Sequence, residues 1–166
     1  MTAAGDLRSI APADEPALVD LYLGQTGPSL GFLMTLMGQG RCQGWTLAPA
    51  GRPFAAIWFS LIDAEAELLD IRVHKSSRNR GLGRQLLSLS LKTLAGMGAR
   101  TCHLEVRRSN AVAQRLYQHC GFVESGCRRD YYRSGQTRED AILMTLDMEA
   151  AVANDCLLYT SDAADE

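Results

Sequence analysis

Residues 78–84, Arg-Asn-Arg-Gly-Leu-Gly-Arg, place three arginines and two glycines at the start of a leucine-rich stretch. A strand ending at His74, a loop rich in backbone N–H groups and then a helix start together make an anion-binding site. The amides of a first helical turn lack intrahelical partners, and the helix dipole adds partial positive charge. Gly81 and Gly83 let the backbone approach a phosphate closely, while Arg78, Arg80 and Arg84 can surround it with charge. A diphosphate suits that description. The Lys-Ser/Thr ending of a nucleotide P-loop is absent, as is the Gly-x-Gly-x-x-Gly dinucleotide pattern. The segment alone therefore does not choose a diphosphate, and an ordinary loop fits it as well. His74, His103 and His119 lack metal-site spacing, so no metal is expected.

The elements that must position this loop alternate along the chain without repeats. DLRSI (6–10) reads as a short strand, and PADEPALVDLYLGQ (12–25) as a helix with prolines and acids near its start. Residues 28–39 suggest a second, short helix. Residues 44–74 read as three strands, with turns at Ala50-Gly51 and Asp63–Ala66. In the helix that follows the arginine loop, Leu82, Leu86 and Leu89 line one face and Leu87, Leu91 and Leu94 a second stripe beside it. Gln85, Ser88 and Lys92 fall on the remaining, polar side, and Gly96 and Gly98 close the helix. RTCHLEVR (100–107) reads as a strand, SNAVAQRLYQHC (109–120) as a helix, and GFVESGCRR (121–129) and REDAILMTLDM (138–148) as strands. Mixed strands with helices between them predict an α/β or α+β domain.

At 166 residues the chain fits one domain over residues 1–150 and a tail over 151–166. CLLYTSDAADE (156–166) shares neither period nor composition with what precedes it. It resembles the translated read-through of a transposase adapter used in preparing sequencing libraries, and is read as such a scar. The formal net charge is −2, from 17 basic and 19 acidic residues; without the three acids of the scar, 17 bases face 16 acids, a formal +1. Neither value points to nucleic acid as a direct partner. No apolar run approaches the ~20 residues of a membrane span, and no secretory signal opens the sequence, so no membrane partner is expected. Five cysteines, an odd number without a Cys-x-x-Cys pair, read as reduced thiols of a cytoplasmic protein.

Arg78-Asn79-Arg80-Gly81-Leu82-Gly83 resembles the Gln/Arg-x-x-Gly-x-Gly/Ala pyrophosphate loop of the GNAT superfamily of acetyl-CoA-dependent N-acetyltransferases. LEVRRSNAVAQRLYQHCGF (104–122) is similar to that superfamily's next strand and helix. RRDYY (128–132) and REDAILM (138–144) narrow the resemblance to the bacterial ribosomal-protein-alanine N-acetyltransferases, over residues 69–146. The resemblance implies a GNAT fold, a mixed central sheet of about six to seven strands flanked by helices. It implies acetyl-CoA as co-substrate, with no metal, and the N-terminal alanine of a ribosomal protein as acceptor in a direct ternary complex.

Site residues follow by the same resemblance. Residues 78–84 (Arg78, Asn79, Arg80, Gly81, Leu82, Gly83, Arg84) would hold the diphosphate. The backbone of Ile71, Arg72 and Val73 would hold the acetyl-pantetheine arm, and Asn110 would contact the cofactor; by position Asn110 also suits a helix cap. Glu105 matches the family's base. An α-amine has a pKa of ~8 and must lose a proton before it attacks. In TCHLEVR, Cys102, Leu104 and Val106 share one strand face, which puts Glu105 on the other with His103 and Arg107. Tyr117 matches the family's acid, a phenol placed to protonate a CoA thiolate whose thiol has a pKa of ~8.5. Two features depart from the family. Arg72 is bulkier than the small residue expected, with only its backbone needed. The aromatic-proline-tryptophan stretch expected between the first helices is missing, and the methionines and leucines there read as core. Two alternatives stay open: an acetyltransferase of a small-molecule amine, and a silent acetyl-CoA-binding module, which would need neither Glu105 nor Tyr117.

Overall fold

The computed structural model describes residues 6–48 and 53–154. A short strand β1 (Leu7–Ser9) leads through a 3-10 turn at Pro12–Asp14 into α1 (Glu15–Tyr22). The turn is fixed by Asp14, which accepts from the Arg8 guanidinium and from the Ala11 amide, each at 2.8 Å. The expected helix over 12–25 is therefore shorter. It stops before Leu23, whose backbone is extended, and Gly24, at φ +66°. Ser29 caps α2 (Leu30–Gly38) by accepting from the Phe32 amide.

Next come β2 (Gln43–Leu47), β3 (Ala55–Ile62), β4 (Glu65–Val73), α3 (Leu82–Gly96), β5 (Thr101–Arg107) and α4 (Ala111–His119). The chain then forms the hairpin β6 (Val123–Ser134) and β7 (Thr137–Asp147), followed by α5 (Met148–Ala153). The seven strands form one mixed sheet in the order β1-β2-β3-β4-β5-β7-β6, with β4 and β5 parallel and every other pair antiparallel. This is the mixed, helix-flanked sheet that the resemblance implies, with seven strands where about six to seven are expected. The α5 helix carries the packed chain past Ala150, with Ala151 in the core. The Ala50-Gly51 turn and the segment 156–166 lie outside the described residues.

Each sheet face has its own core. On one, Leu86, Leu87, Leu91 and Leu94 of α3 pack with Ile57, Phe59, Leu104, Val106, Ile142 and Met144. On the other, Leu18 and Leu21 of α1 and Leu30 and Leu33 of α2 cover Ala56 and Trp58. The β3 strand is thus buried on both sides, which is why AAIWF reads as a continuous apolar run and not an alternation. Met34, Leu36 and Met37 of α2 pack against the second core, as core residues should. Gln85 and Ser88, expected on the polar side of α3, are instead buried. Ser88 Oγ lies 3.8 Å from Cys120 Sγ at the end of α4. Lys92 is exposed as expected. Among the described residues, no helix is long and apolar enough to cross a membrane.

Strand β4 bends midway. Trp58 pairs with Asp70 but Phe59 pairs with Leu68, so Leu69 is an extra residue, a β-bulge. Pairing of β4 with β5 covers Glu65–Glu67 against Thr101–His103 and ends there. Beyond the bulge, residues 69–73 of β4 and 104–107 of β5 separate, although each strand stays paired on its outer side. The sheet is split by a gap.

Candidate active site

The gap has two unlike banks. His74 donates its amide to the Phe54 carbonyl at 2.7 Å, and antiparallel pairs alternate between hydrogen-bonded and open. By that alternation, Arg72 is bonded to β3, while the Ile71 and Val73 backbone groups face the gap. Arg78 Nε takes the Val73 carbonyl at 3.0 Å, tying the loop to the end of β4. Of the three residues expected to offer backbone to a ligand, the geometry leaves Ile71 and Val73 for that task.

The loop after β4 brings three arginines to the start of α3. His74 Nδ1 receives the Ser76 amide in a short 3-10 turn over Lys75–Ser77. Asn79 and Gly81 then adopt left-handed backbone, at φ +60° and +72°. Gly81 is the N-cap of α3 and has no side chain to fill it, so the first-turn amides are left for a ligand. At Gly83, a Cβ would lie 3.7 Å from both Val73 and Leu116. The start of α3, the end of β4 and α4 therefore converge. Arg78, Asn79 and Arg80 are exposed, while Leu82 and Arg84 are half-buried. The groups here that could hold a cofactor are the first-turn amides of α3 and the Ile71 and Val73 edge.

On the other bank, Cys102, Leu104 and Val106 are buried toward α3, so Glu105 projects from the opposite face with His103 and Arg107, as the alternation predicts. The side chain of Glu105 is 23% exposed. Its Oε1 lies 3.3 Å from Arg128 Nε, and its Oε2 makes no hydrogen bond among the described residues. Beside it, Arg107 stacks 4.3 Å from the centre of the Tyr132 ring and meets Glu139 at 3.5 Å. Burial raises the Tyr132 phenol, and the Glu105 carboxylate raises it further.

Tyr117 sits on the α3 side, 6% exposed, with its ring edge-on to Phe122. Burial drives its phenol well above the usual range, and Asp70 and Tyr132 add to that, so it holds its proton throughout the neutral region. Its hydroxyl makes no hydrogen bond among the described residues. Asn110 takes the cap position, with Oδ1 accepting from the Ala113 amide at 3.1 Å. Gln114 ties α4 to β5 through the carbonyls of Arg107 and Arg108. Cys102 is inert, its thiol pushed up to about 12 by burial.

Sequence reasoning passed over Arg128 and Tyr132, although both lie in the RRDYY segment that it singled out. It also passed over Tyr22, Trp58 and Asp70. Tyr22 donates to Asp70 Oδ2 at 2.9 Å and accepts from Trp58 Nε1 at 2.8 Å. Burial pushes the Asp70 carboxyl up, opposed by Arg72. Among the described residues, no group of three or more His, Cys, Asp or Glu gathers as a metal site would.

Comparison with known proteins places this geometry. Residues 17–122 match the profile of the acetyltransferase (GNAT) family. A ribosomal protein bS18-alanine N-acetyltransferase of Salmonella typhimurium is 48% identical over 82 residues, 49% of this chain and 55% of that protein. The chain thus spans about half the length of the curated relatives it matches. The crystal structure of the ribosomal-protein-S18-alanine N-acetyltransferase from Escherichia coli superposes with a TM-score of 0.77 at 33% identity, over 86% of this chain and 93% of that one. A spermidine/spermine N-acetyltransferase from Vibrio cholerae shares the fold at 16% identity, with a TM-score of 0.76 over 90% and 95% of the two chains. With the profile spanning more than half of its residues and a split seven-stranded sheet to match, the chain belongs to the acetyltransferase (GNAT) family.

Proposed function

We propose that the protein transfers the acetyl group of acetyl-CoA to the α-amine of a protein that begins with alanine or another small residue, a ribosomal protein. The observation that carries this reading is the gap between β4 and β5, with ligand-binding backbone on one bank and Glu105 on the other. The names of the relatives support the choice of acceptor.

In this reading acetyl-CoA supplies an activated thioester, and the chain's own residues do the rest. The first-turn amides of α3 at Gly81–Gly83, with Arg80 and Arg84, hold the diphosphate. The Ile71 and Val73 backbone orients the arm and offers an amide to the carbonyl oxygen as charge builds there. Glu105 takes the proton of the attacking amine, directly or through one water. Tyr117, kept protonated by burial, donates to the departing thiolate. Asn110 contributes by starting α4 correctly. The reaction needs no metal and no contact with nucleic acid or membrane, and a ribosomal acceptor places it in the cytoplasm.

A polyamine acceptor is the second reading, since the fold is shared with a polyamine acetyltransferase. Charge pairing favours the peptide. Glu105, Asp70, Glu139 and Asp140 lie against Arg128, Arg72, Arg107 and Arg108 respectively, so these four acids offer little net negative charge to a polycation. With an alanine-starting peptide and spermidine competing at equal concentration, kcat/KM should favour the peptide by about tenfold or more. Preference for spermidine would move the assignment to the small-amine reading. Acetyl-CoA binding without turnover of either would leave the silent module.

A further inference from the structure

The Arg72 side chain is committed to something other than a donor site. It leaves β4 on the face that carries α1 and α2, and is 8% exposed. Its Nε meets the Asp70 carboxylate at 3.1 and 3.4 Å, and its guanidinium stacks 4.2 Å from the centre of the Tyr22 ring. Its Nη2 donates to two carbonyl oxygens of the α1–α2 loop, Thr26 at 3.0 Å and Pro28 at 3.2 Å. Between them Gly27 stands at φ +108°, and a Cβ there would lie 3.2 Å from Nη2. The loop closes directly onto the guanidinium. Its sequence, GQTGPS (24–29), has little local preference of its own, so this clamp supplies much of its order.

The same sheet face holds Glu105 on the far bank of the gap, because β5 buries its other face toward α3. The anion loop and Tyr117 belong to the α3 side. An acceptor amine that meets Glu105 therefore arrives on the face where the 24–29 loop lies. We propose that Arg72 is a positioning residue for the acceptor: by clamping the Thr26 and Pro28 carbonyls it fixes the 24–29 loop as a wall of the acceptor entrance. This rests on the acetyl-transfer reading. It assigns acceptor recognition to a residue whose backbone is occupied by β3, and whose neighbours Ile71 and Val73 face the donor.

Three measurements on Arg72→Ala test it. The double variant Asp70→Asn/Arg72→Ala removes the buried charge on both sides, in case the single change fails to fold. Amide hydrogen exchange should accelerate in residues 24–30 while β3, β4 and β5 stay protected. The KM for an alanine-starting peptide should rise about tenfold or more, while the Kd for acetyl-CoA moves less than about threefold. Arg72→Lys, with a point charge in place of a fork, should recover only part of the loss. Unchanged exchange in 24–30, or acceptor KM and acetyl-CoA Kd rising together, would overturn the proposal. If the wild-type protein acetylates no acceptor, the function proposed above fails and the acceptor role with it. The exchange measurement then still decides whether Arg72 orders the loop.

Discussion

Gly81→Asp should remove acetyl-CoA binding while leaving the protein folded. Gly81 stands at φ +72°, a left-handed conformation that Asp tolerates better than most residues. It is also the N-cap of α3, so a side chain there stands beside the first-turn amides. The substitution adds some backbone strain and is severe for an anion, because the new carboxylate stands near the first-turn amides and repels phosphate. A lost charge-assisted contact costs about 1.5–3 kcal/mol, and repulsion adds to it, so affinity should fall about 100-fold or more. Removing one arginine, as in Arg80→Ala, should cost only the first part. Calorimetric titration with acetyl-CoA reads both, and unchanged affinity in folded Gly81→Asp protein would move the diphosphate elsewhere.

Glu105→Gln should lower turnover by about 10²–10⁴ at neutral pH and leave acetyl-CoA binding in place. The amide keeps the shape of the side chain beside Arg128 but cannot take a proton. Raising the pH should recover part of the loss, because an acceptor α-amine with a pKa of ~8 is then increasingly neutral without help. Tyr117→Phe should behave differently. Phenylalanine has no proton to give, and alkaline buffer frees the amine without protonating the departing thiolate, so it does not replace the missing donor. Rate against pH for both variants, with saturating acceptor, separates the roles. Full turnover of Glu105→Gln below pH 7 would place the base elsewhere.

Which parts of this site were legible in the sequence follows from how local each cause is. The side of β5 that carries Glu105 is a matter of two-residue periodicity, and the alternation of Cys102, Leu104 and Val106 announces it. The anion loop is equally local, since adjacent glycines, arginines and a helix start define it. The gap is not local. It depends on a bulge at Leu69 whose cause is the register of β4 against β3, and no motif in ELLDIRV marks it. The Trp58–Tyr22–Asp70–Arg72 network joins residues 36 and 48 positions apart, each unremarkable in its own segment. Periodicity also misplaced Gln85 and Ser88, because it describes one face of a helix and α3 is covered on two sides. Arg72 looked like a departure from pattern at a ligand-binding strand. The clamp on Thr26 and Pro28 gives that departure a physical reason.

The destination of the acetyl group tests the proposed transfer most directly. The measurement is to incubate the protein with isotopically labelled acetyl-CoA and a peptide that begins with alanine and contains an internal lysine, then locate the label by fragmentation mass spectrometry. Label is expected on the alanine α-amine, dependent on Glu105, with the lysine side chain unmodified. Label on the lysine in preference to the α-amine, or acetyl-CoA binding with no transfer to any amine, would contradict it.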